Sequence, residues 1–235
     1  MKTVLFVVSE VGFTWEEVIR PFKEFLKAGF EVVIATPNGN KPKIDPLSIK
    51  PRPILQYLGL GISLKLSPKS STGKKLKHYL NKPISLATVK ESAFVALYIA
   101  GGHGSLFDLN KNTNLHKLIL KFNANRKPIG VICHASSTLV FIQKNGRSFA
   151  YNRNITGFPT LWEHLVLFTK QIHPSFLPLP LWTGKELDHY ATGRSFLTRI
   201  QEVINPYFTL KDDNIISGVG PKSGGIIAQK IISLL

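Results

Sequence analysis

Short apolar runs separated by helix-like segments most restrict how this chain of 235 residues can fold. The run over 94–100 is almost wholly apolar, which is typical of a central parallel strand covered by helices on both faces. The other strand-like runs span residues 3–8, 31–36, 129–132, 154–158 and 214–218. Strands that alternate with helices predict a doubly wound, mostly parallel α/β sheet, a flavodoxin-like sandwich, with functional sites at the carboxyl ends of its strands.

Prolines mark two interruptions of this alternation. Pro21 lies inside a helix-like stretch over 15–27, and because proline lacks the N–H that a helix interior uses, we expect a kink or a break there. Residues 41–90 contain six prolines and show no sustained hydrophobic period. They are interpreted as an insertion or flap that packs over the sheet, within one domain spanning 1–235. Further helices are predicted over 114–123 and 223–234.

The chain is strongly basic, with a formal net charge of +16. Such a charge can attract nucleic acid, an anionic membrane surface or acidic substrates. The densest basic segment, residues 65–82, lacks the interleaved aromatic residues of a single-strand binding platform, so we expect a solvated basic loop or flap. Nucleic-acid binding stays possible but has no motif, and no stretch reaches the length of a membrane span.

The only cysteine, Cys133, stands where the strand over 129–132 ends, and His134 follows it directly. The small residues after this pair begin a predicted helix, which places the thiol at a nucleophile elbow. Free N–H groups and partial positive charge at a helix start favour a thiolate. The alternative is that a lone cysteine is a small buried apolar residue. One cysteine excludes an intrachain disulfide, and the free thiol favours a cytoplasmic location.

Six groups of residues occur in a specific order and spacing. They are E-V-I-R-P at 17–21, A-T-P at 35–37 with D-P-L-S at 45–48, G-G-H-G at 101–104 with D-L at 108–109, C-H at 133–134, T-G-F at 156–158, and I-S-G-V-G-P at 216–221. With these motifs nearly the whole chain resembles the ThiJ/PfpI superfamily, which has the class I glutamine amidotransferase-like fold. Within it, the chain is similar to the branch of heat-shock chaperone-like, glutathione-independent glyoxalases.

The resemblance implies a role for each matching residue. Cys133 would be the nucleophile and His134 the partner that moves protons. Glu17 would be the buried acid beside the thiol, and Glu163 the acid that orients the histidine. Backbone N–H groups near Gly102 and His134 would form an oxyanion hole, which agrees with the need of a developing oxyanion for close donors.

Plainer interpretations of the two acids stay open. Glu17 could pair with Arg20 on a helix surface. Beside the thiol, an ionised Glu17 would raise the thiol pKa, whereas a protonated one could donate a hydrogen bond and lower it. Glu163 could be a solvated helix residue, and Asp188 is a rival acid for orienting the histidine.

His103 could line the pocket and bind substrate, or it could be an ordinary loop residue. The other histidines in the second half of the chain, His164, His173 and His189, show no metal-ligand spacing, so no metal or cofactor is predicted. Residues 164–190 depart from the common sequence of the branch, which weakens any inference about substrate.

The leading hypothesis is a cofactor-free cysteine enzyme that acts on a small aldehyde, similar to a glyoxalase III that converts methylglyoxal to lactate. The alternatives are a holdase chaperone of the stress response and a cysteine hydrolase that cleaves peptides or amides. The resemblance also implies a homodimer, although no sequence feature identifies the surface that would pair.

Overall fold

A seven-stranded sheet forms the centre of the structure, a computed structural model that describes residues 2–50 and 64–235. The described strands are β1 (Thr3–Val7), β2 (Glu31–Thr36), β3 (Ile84–Ser85), β4 (Ala96–Ile99), β5 (Ile129–Ile132), β6 (Gln143–Lys144), β7 (Arg147–Ser148), β8 (Thr209–Asp212) and β9 (Ile215–Gly218). The sheet order is β3-β2-β1-β4-β5-β9-β8, and β6 and β7 form a separate pair. Among its described strands every pairing is parallel except that of β8 with β9. The predicted mostly parallel α/β sheet is therefore confirmed.

Helices cover both faces of the sheet. They are α1 (Trp15–Lys27), α2 (Ser71–Leu80), α3 (Ser105–Asp108), α4 (Thr113–Ala124), α5 (Thr138–Phe141), α6 (Thr160–Phe168), α7 (Thr183–Tyr190), α8 (Phe196–Ile204) and α9 (Gly224–Ile232). In β1, Val4 and Phe6 join the core shared with α1 and α9, whereas Leu5 and Val7 join the core shared with α4. Successive strand residues thus point to opposite faces. No helix in the described part of the chain is long and apolar enough to cross a membrane.

The break predicted at Pro21 does not occur, because α1 continues through it to Lys27. Proline cannot donate to the carbonyl four residues earlier, which belongs to Glu17. The hydroxyl of Tyr98, on β4, donates to that carbonyl instead, at 2.7 Å. A side chain from the neighbouring strand therefore satisfies the acceptor that proline leaves open.

The strand predicted over 154–158 is wrong. The segment is extended but joins no ladder, because side chains occupy its backbone donors. The N–H of Asn154 donates to Asp212 Oδ2 at 2.7 Å, and that of Thr156 donates to Ser217 Oγ at 2.9 Å. The N–H of Phe158 donates to the carbonyl of Cys133 at 3.3 Å, which holds Phe158 beside the end of β5.

The described part of the region over 41–90 contains more helix and strand than predicted. Residues 51–63 of this region lie outside the described residues. Much of the predicted basic loop is the helix α2, whose lysines are exposed while Leu76 and Leu80 are buried against the body of the protein. Ser70 caps this helix by accepting from the N–H of Gly73 at 3.1 Å. β3 extends the edge of the sheet, so part of this region belongs to the sheet.

Candidate active site

Cys133 occupies a strained turn at the carboxyl end of β5. Its φ is +57°, in the left-handed region that non-glycine residues rarely adopt. The chain then forms a 3-10 turn over Cys133–Ser137, and α-helical geometry begins only at Thr138. The predicted sharp turn is present, although its first helical residues are 3-10 rather than α. A strained backbone at a buried thiol is typical of a functional site.

The structure brings the predicted cysteine, histidine and acid together. Cys133 Sγ lies 3.2 Å from His134 Nδ1, and His134 Nε2 lies 2.8 Å from Glu163 Oε2. Glu163 is on the inner side of α6 and is 1% exposed, so it is not a solvated helix residue. A carboxylate that accepts from Nε2–H leaves Nδ1 as an acceptor facing the thiol.

A second histidine shares the same acid, and sequence analysis did not reveal this contact. His103 Nε2 lies 3.1 Å from Glu163 Oε1, so one carboxylate joins two imidazoles whose centroids are 4.2 Å apart. Burial alone raises the pKa of Glu163, but the charge of His134 and the hydrogen bonds of both histidines outweigh burial and lower this pKa to about 2. Burial, together with the charge of His134, lowers the pKa of His103. The glycine-flanked histidine at the end of β4 was the only signal for this contact in the sequence.

Glu17 lies on the buried side of α1, beside the thiol. Its Oε2 accepts from the N–H of Gly101 at 2.9 Å, and its Oε1 has no hydrogen-bond partner among the described residues. Burial raises the pKa of Glu17 to about 8, against the opposing effect of Cys133 and the Gly101 N–H. The surface pair with Arg20 is wrong, since Arg20 binds Glu16 at 2.7 Å. Glu17 is therefore a carboxylic acid near neutral pH.

The thiol of Cys133 is held in its protonated form. Burial raises its pKa well above the ordinary value, and the charge that Glu17 acquires above a pH of about 8 raises it further. The N–H groups of His134 and Gly102 act in the predicted direction and lower the pKa, but they do not outweigh burial. The expectation of a thiolate favoured by the turn therefore fails for the resting site.

The backbone of Gly102 packs closely against the backbone of Thr14 and leaves no room for a side chain. Its φ is +99°, and a Cβ added there would lie 2.6 Å from the backbone nitrogen of Thr14. Only glycine fits this position without strain. The Gly102 N–H faces the Cys133 sulfur, as an oxyanion hole requires.

The rival acid Asp188 belongs to another cluster. Its side chain is 42% exposed, and Oδ1 lies 2.9 Å from Arg194 and 3.2 Å from Arg199. These cations engage the carboxylate away from His134. Of the two acids that sequence analysis proposed for orienting the histidine, Glu163 is the one in contact with it.

The same side chains that form the hydrogen-bond relay could hold a metal ion. Ligand atoms of His103, His134 and Glu163 all lie within 4.8 Å of one another. Two imidazoles and a carboxylate suit a divalent transition metal. A metal would have to replace the protons of the two His–Glu hydrogen bonds, and the absence of a metal requirement stays a prediction.

A pocket opens onto the thiol, with about 550 Å³ of empty space including its mouth. Phe158 forms one wall and stacks on His134 at a centroid distance of 4.4 Å. The segment that departs from the branch sequence contributes Gln171 to the lining and packs Phe176 on His103. The described lining residues include Glu16, Glu17 and Asp45 but no lysine or arginine, so the pocket suits a neutral substrate better than an anion.

A family model agrees with this fold. The model of the DJ-1/PfpI family matches residues 2–173. The chain belongs to the DJ-1/PfpI family. The matched residues include the elbow at Cys133 and the acid Glu163 on α6.

Relatives in the DJ-1/PfpI family cover almost the whole chain. The glutathione-independent glyoxalase hsp3101 of Schizosaccharomyces pombe is 26% identical over 95% of this chain and 87% of its own length. The glutathione-independent glyoxalase HSP31 of Saccharomyces cerevisiae is 24% identical over 100% of this chain and 90% of its own. The crystal structure of glyoxalase III from Candida albicans has a TM-score of 0.72 at 20% identity, over 99% of this chain and 96% of that one, and shows the shared fold.

Proposed function

We propose that this protein is a cofactor-free, cysteine-dependent glyoxalase that converts methylglyoxal to lactate. The observation that carries the proposal is the continuous contact from Cys133 Sγ through His134 to Glu163, at 3.2 Å and 2.8 Å, inside a pocket whose described lining contains no lysine or arginine. The names of the two fungal relatives support the same reaction.

The first step joins the thiol to the aldehyde. Cys133 gives its proton to His134 Nδ1 while sulfur bonds to the aldehyde carbon, and the imidazolium is stabilised by Glu163. The aldehyde oxygen then takes this proton from the His134 imidazolium and becomes the hydroxyl of a hemithioacetal, which leaves His134 neutral for the next step. A thiol that is protonated at rest is compatible with this step because His134 receives the proton as the C–S bond forms.

The second step moves hydrogen between two carbons of the substrate. His134 removes the proton from the former aldehyde carbon and returns it to the neighbouring ketone carbon, while the hydroxyl proton on the former aldehyde carbon passes to the ketone oxygen. The aldehyde carbon is thereby oxidised and the ketone carbon reduced, so no external redox partner is needed. The product is a thioester of lactate, which one water molecule hydrolyses to lactate and the free thiol.

Buried donors hold the substrate during these steps. The protonated Glu17, whose Oε1 has no partner among the described residues, is available to donate to a substrate oxygen. The Gly102 N–H serves the oxygen that develops negative charge on addition. The carboxyl groups and the absence of lysine and arginine among the described lining residues favour a small neutral 2-oxoaldehyde over a phosphorylated one.

The test is lactate formation from methylglyoxal by the wild type and by Cys133→Ala, without glutathione and with EDTA present. We expect turnover by the wild type and a loss of at least about 1000-fold in the variant, because the covalent intermediate cannot form. Thermal unfolding of both proteins checks that the fold is retained. Undiminished turnover by the variant would exclude the mechanism, and inactivity of both proteins would favour the hydrolase or chaperone alternative.

A further inference from the structure

His103 lies beside His134 in the pocket and binds the same acid. Its Nε2 lies 3.1 Å from Glu163 Oε1, and His134 Nε2 lies 2.8 Å from Glu163 Oε2. The formation of lactate as proposed uses only His134 as a named proton carrier. A buried histidine that contacts both the orienting acid and the pocket is therefore available for a second proton transfer.

The carboxylate of Glu163 fixes the tautomer of both imidazoles. An ionised carboxylate only accepts hydrogen bonds, so each Nε2 that faces it carries a proton, and Nδ1 of the neutral ring is left as an acceptor. The Nδ1 of His134 faces the thiol at 3.2 Å. The Nδ1 of His103 forms no hydrogen bond with any described residue, and the ring lines the pocket. This nitrogen is therefore free to accept a proton from a bound substrate.

Aromatic rings hold the two imidazoles side by side, with their centroids 4.2 Å apart. Phe158 stacks on His134 at a centroid distance of 4.4 Å. Phe176 stacks on His103 at 6.0 Å, in space that Gly12 leaves free because it has no side chain. Burial and the charge of His134 lower the pKa of His103, which favours its neutral form. His103 is thus a positioned neutral base next to the ring that receives the thiol proton.

Conversion of the hemithioacetal to the thioester moves two protons. One passes from carbon to carbon through His134, and the other passes from the hydroxyl oxygen to the ketone oxygen. These two oxygens are bonded to adjacent carbons, so a direct hydrogen bond between them closes a five-membered ring with a poor angle at hydrogen. A base that contacts both oxygens avoids this unfavourable geometry.

We propose that His103 is the catalytic residue that carries the hydroxyl proton, its Nδ1 taking the proton from one substrate oxygen and giving it to the other. As His134 breaks the C–H bond, the electron pair of that bond forms a double bond between the carbons. The ketone π pair moves to the ketone oxygen, which takes the proton from His103. The pair left by the hydroxyl proton then forms the thioester carbonyl, and the pair between the carbons takes the proton back from His134.

No electron leaves the substrate in these transfers, and each histidine ends in the protonation state in which it began. Glu163 contacts both rings, so it stabilises the positive charge on whichever imidazole holds the extra proton. The role of His103 rests on the proposed glyoxalase reaction.

The first experiment separates proton transfer by His103 from a structural hydrogen bond to Glu163. In His103→Gln, the side-chain amide can still donate to Glu163 but is not a base. We expect kcat with methylglyoxal to fall by at least about 100-fold. The matched control is His116→Gln, because His116 is half-buried, bonds the Asn110 carbonyl and does not line the pocket. This control should leave kcat nearly unchanged, and thermal unfolding checks that both variants are folded.

The second experiment compares two isotope effects on kcat in the wild type and in His103→Gln. Deuterium at the aldehyde carbon of methylglyoxal slows the transfer through His134, whereas D₂O slows the transfer between oxygens. In the variant the oxygen-to-oxygen transfer becomes the slow step, so the substrate isotope effect should fall towards unity and the D₂O effect should rise. A structural displacement of His134 would raise the substrate isotope effect instead.

Turnover by the wild type is measured in the same assay, so that the two proposals can fail separately. A wild type without turnover would overturn both the glyoxalase function and the role of His103. An active wild type combined with a loss smaller than about 100-fold in His103→Gln would overturn the role of His103 alone. A larger substrate isotope effect in the variant would do the same.

Discussion

At the scale of single residues, burial decides the protonation of the site. Glu17 and Glu163 are both carboxyls with less than a few per cent of their surface exposed, yet their pKa values move in opposite directions. Glu163 has two imidazole partners that favour its charge. Glu17 has one backbone donor and an adjacent thiol, so the cost of burying a charge prevails.

Glu17 should make stability depend on pH. Its pKa is about 8 in the folded protein and about 4.5 in the unfolded chain. Between these values the folded state holds a proton that the unfolded state releases, so stability falls as pH rises from about 5 to 8. The loss is on the order of 4 kcal/mol for an isolated group. Glu17→Gln should lose less stability over this range in urea unfolding at pH 5 and 8, and equal losses would contradict the raised pKa.

Glu163 should be essential for turnover and Asp188 dispensable. Glu163→Gln removes the carboxylate that stabilises the His134 imidazolium and orients its ring, so kcat should fall by about 10²–10⁴-fold. Asp188→Asn is the matched control and should leave kcat within about twofold of the wild type. A large loss in Asp188→Asn with little loss in Glu163→Gln would reverse the assignment. Steady-state kinetics with methylglyoxal distinguishes the two results.

At the scale of elements, a side chain from β4 supports the interior of α1. The Tyr98 hydroxyl donates to the Glu17 carbonyl, which has no helical donor because Pro21 follows four residues later. This contact also ties the helix that carries the buried acid to the strand that leads into Gly101. A hydrogen bond between distant segments also supports the elbow, since the Cys133 carbonyl accepts from the N–H of Phe158.

The substitution Tyr98→Phe should destabilise the protein by about 1–3 kcal/mol, because it leaves a buried carbonyl without a donor. Pro21→Ala in the same background supplies an N–H to that carbonyl and should recover part of the loss. Urea unfolding of the two single variants and the double variant measures their coupling. Strictly additive effects would show that the hydroxyl does not replace the missing helical donor.

At the scale of the whole molecule, the net positive charge is distributed over much of the surface. The exposed lysines of α2 line one side of that helix, whereas α6 carries no lysine or arginine. Charge of this kind attracts polyanions without reading their sequence. Neither the sequence nor the described surface offers a stacking platform along α2.

Binding to nucleic acid should therefore be weak and sensitive to salt. Fluorescence anisotropy with two unrelated single-stranded DNA oligonucleotides should give equal affinities that fall by at least about tenfold between 50 and 200 mM salt. Because the described lining of the pocket around Cys133 contains carboxyl groups and no lysine or arginine, Cys133→Ala should not change this binding. Sequence-dependent binding that persists at 200 mM salt would show a dedicated nucleic-acid site.

The features that sequence alone determined are local ones. The apolar runs that became β1, β2, β4, β5 and β9 were predictable because a strand buried on both faces must be apolar along its whole length. The elbow was predictable because the strand end, the thiol and the small residues that follow are adjacent in the chain. The resemblance supplied Glu17 and Glu163, which are far from Cys133 in sequence.

Tertiary structure decided every feature that depends on contacts between residues far apart in the sequence. The run over 154–158 resembles a strand, but side chains of Asp212 and Ser217 occupy its backbone donors. His103 shares Glu163 with His134 only because the ends of β4 and β5 meet beneath α6. The protonation of Glu17 and of Cys133 follows from burial. Chain order fixes which residues are neighbours in sequence, whereas solvent exclusion and hydrogen-bond partners are set by distant parts of the chain.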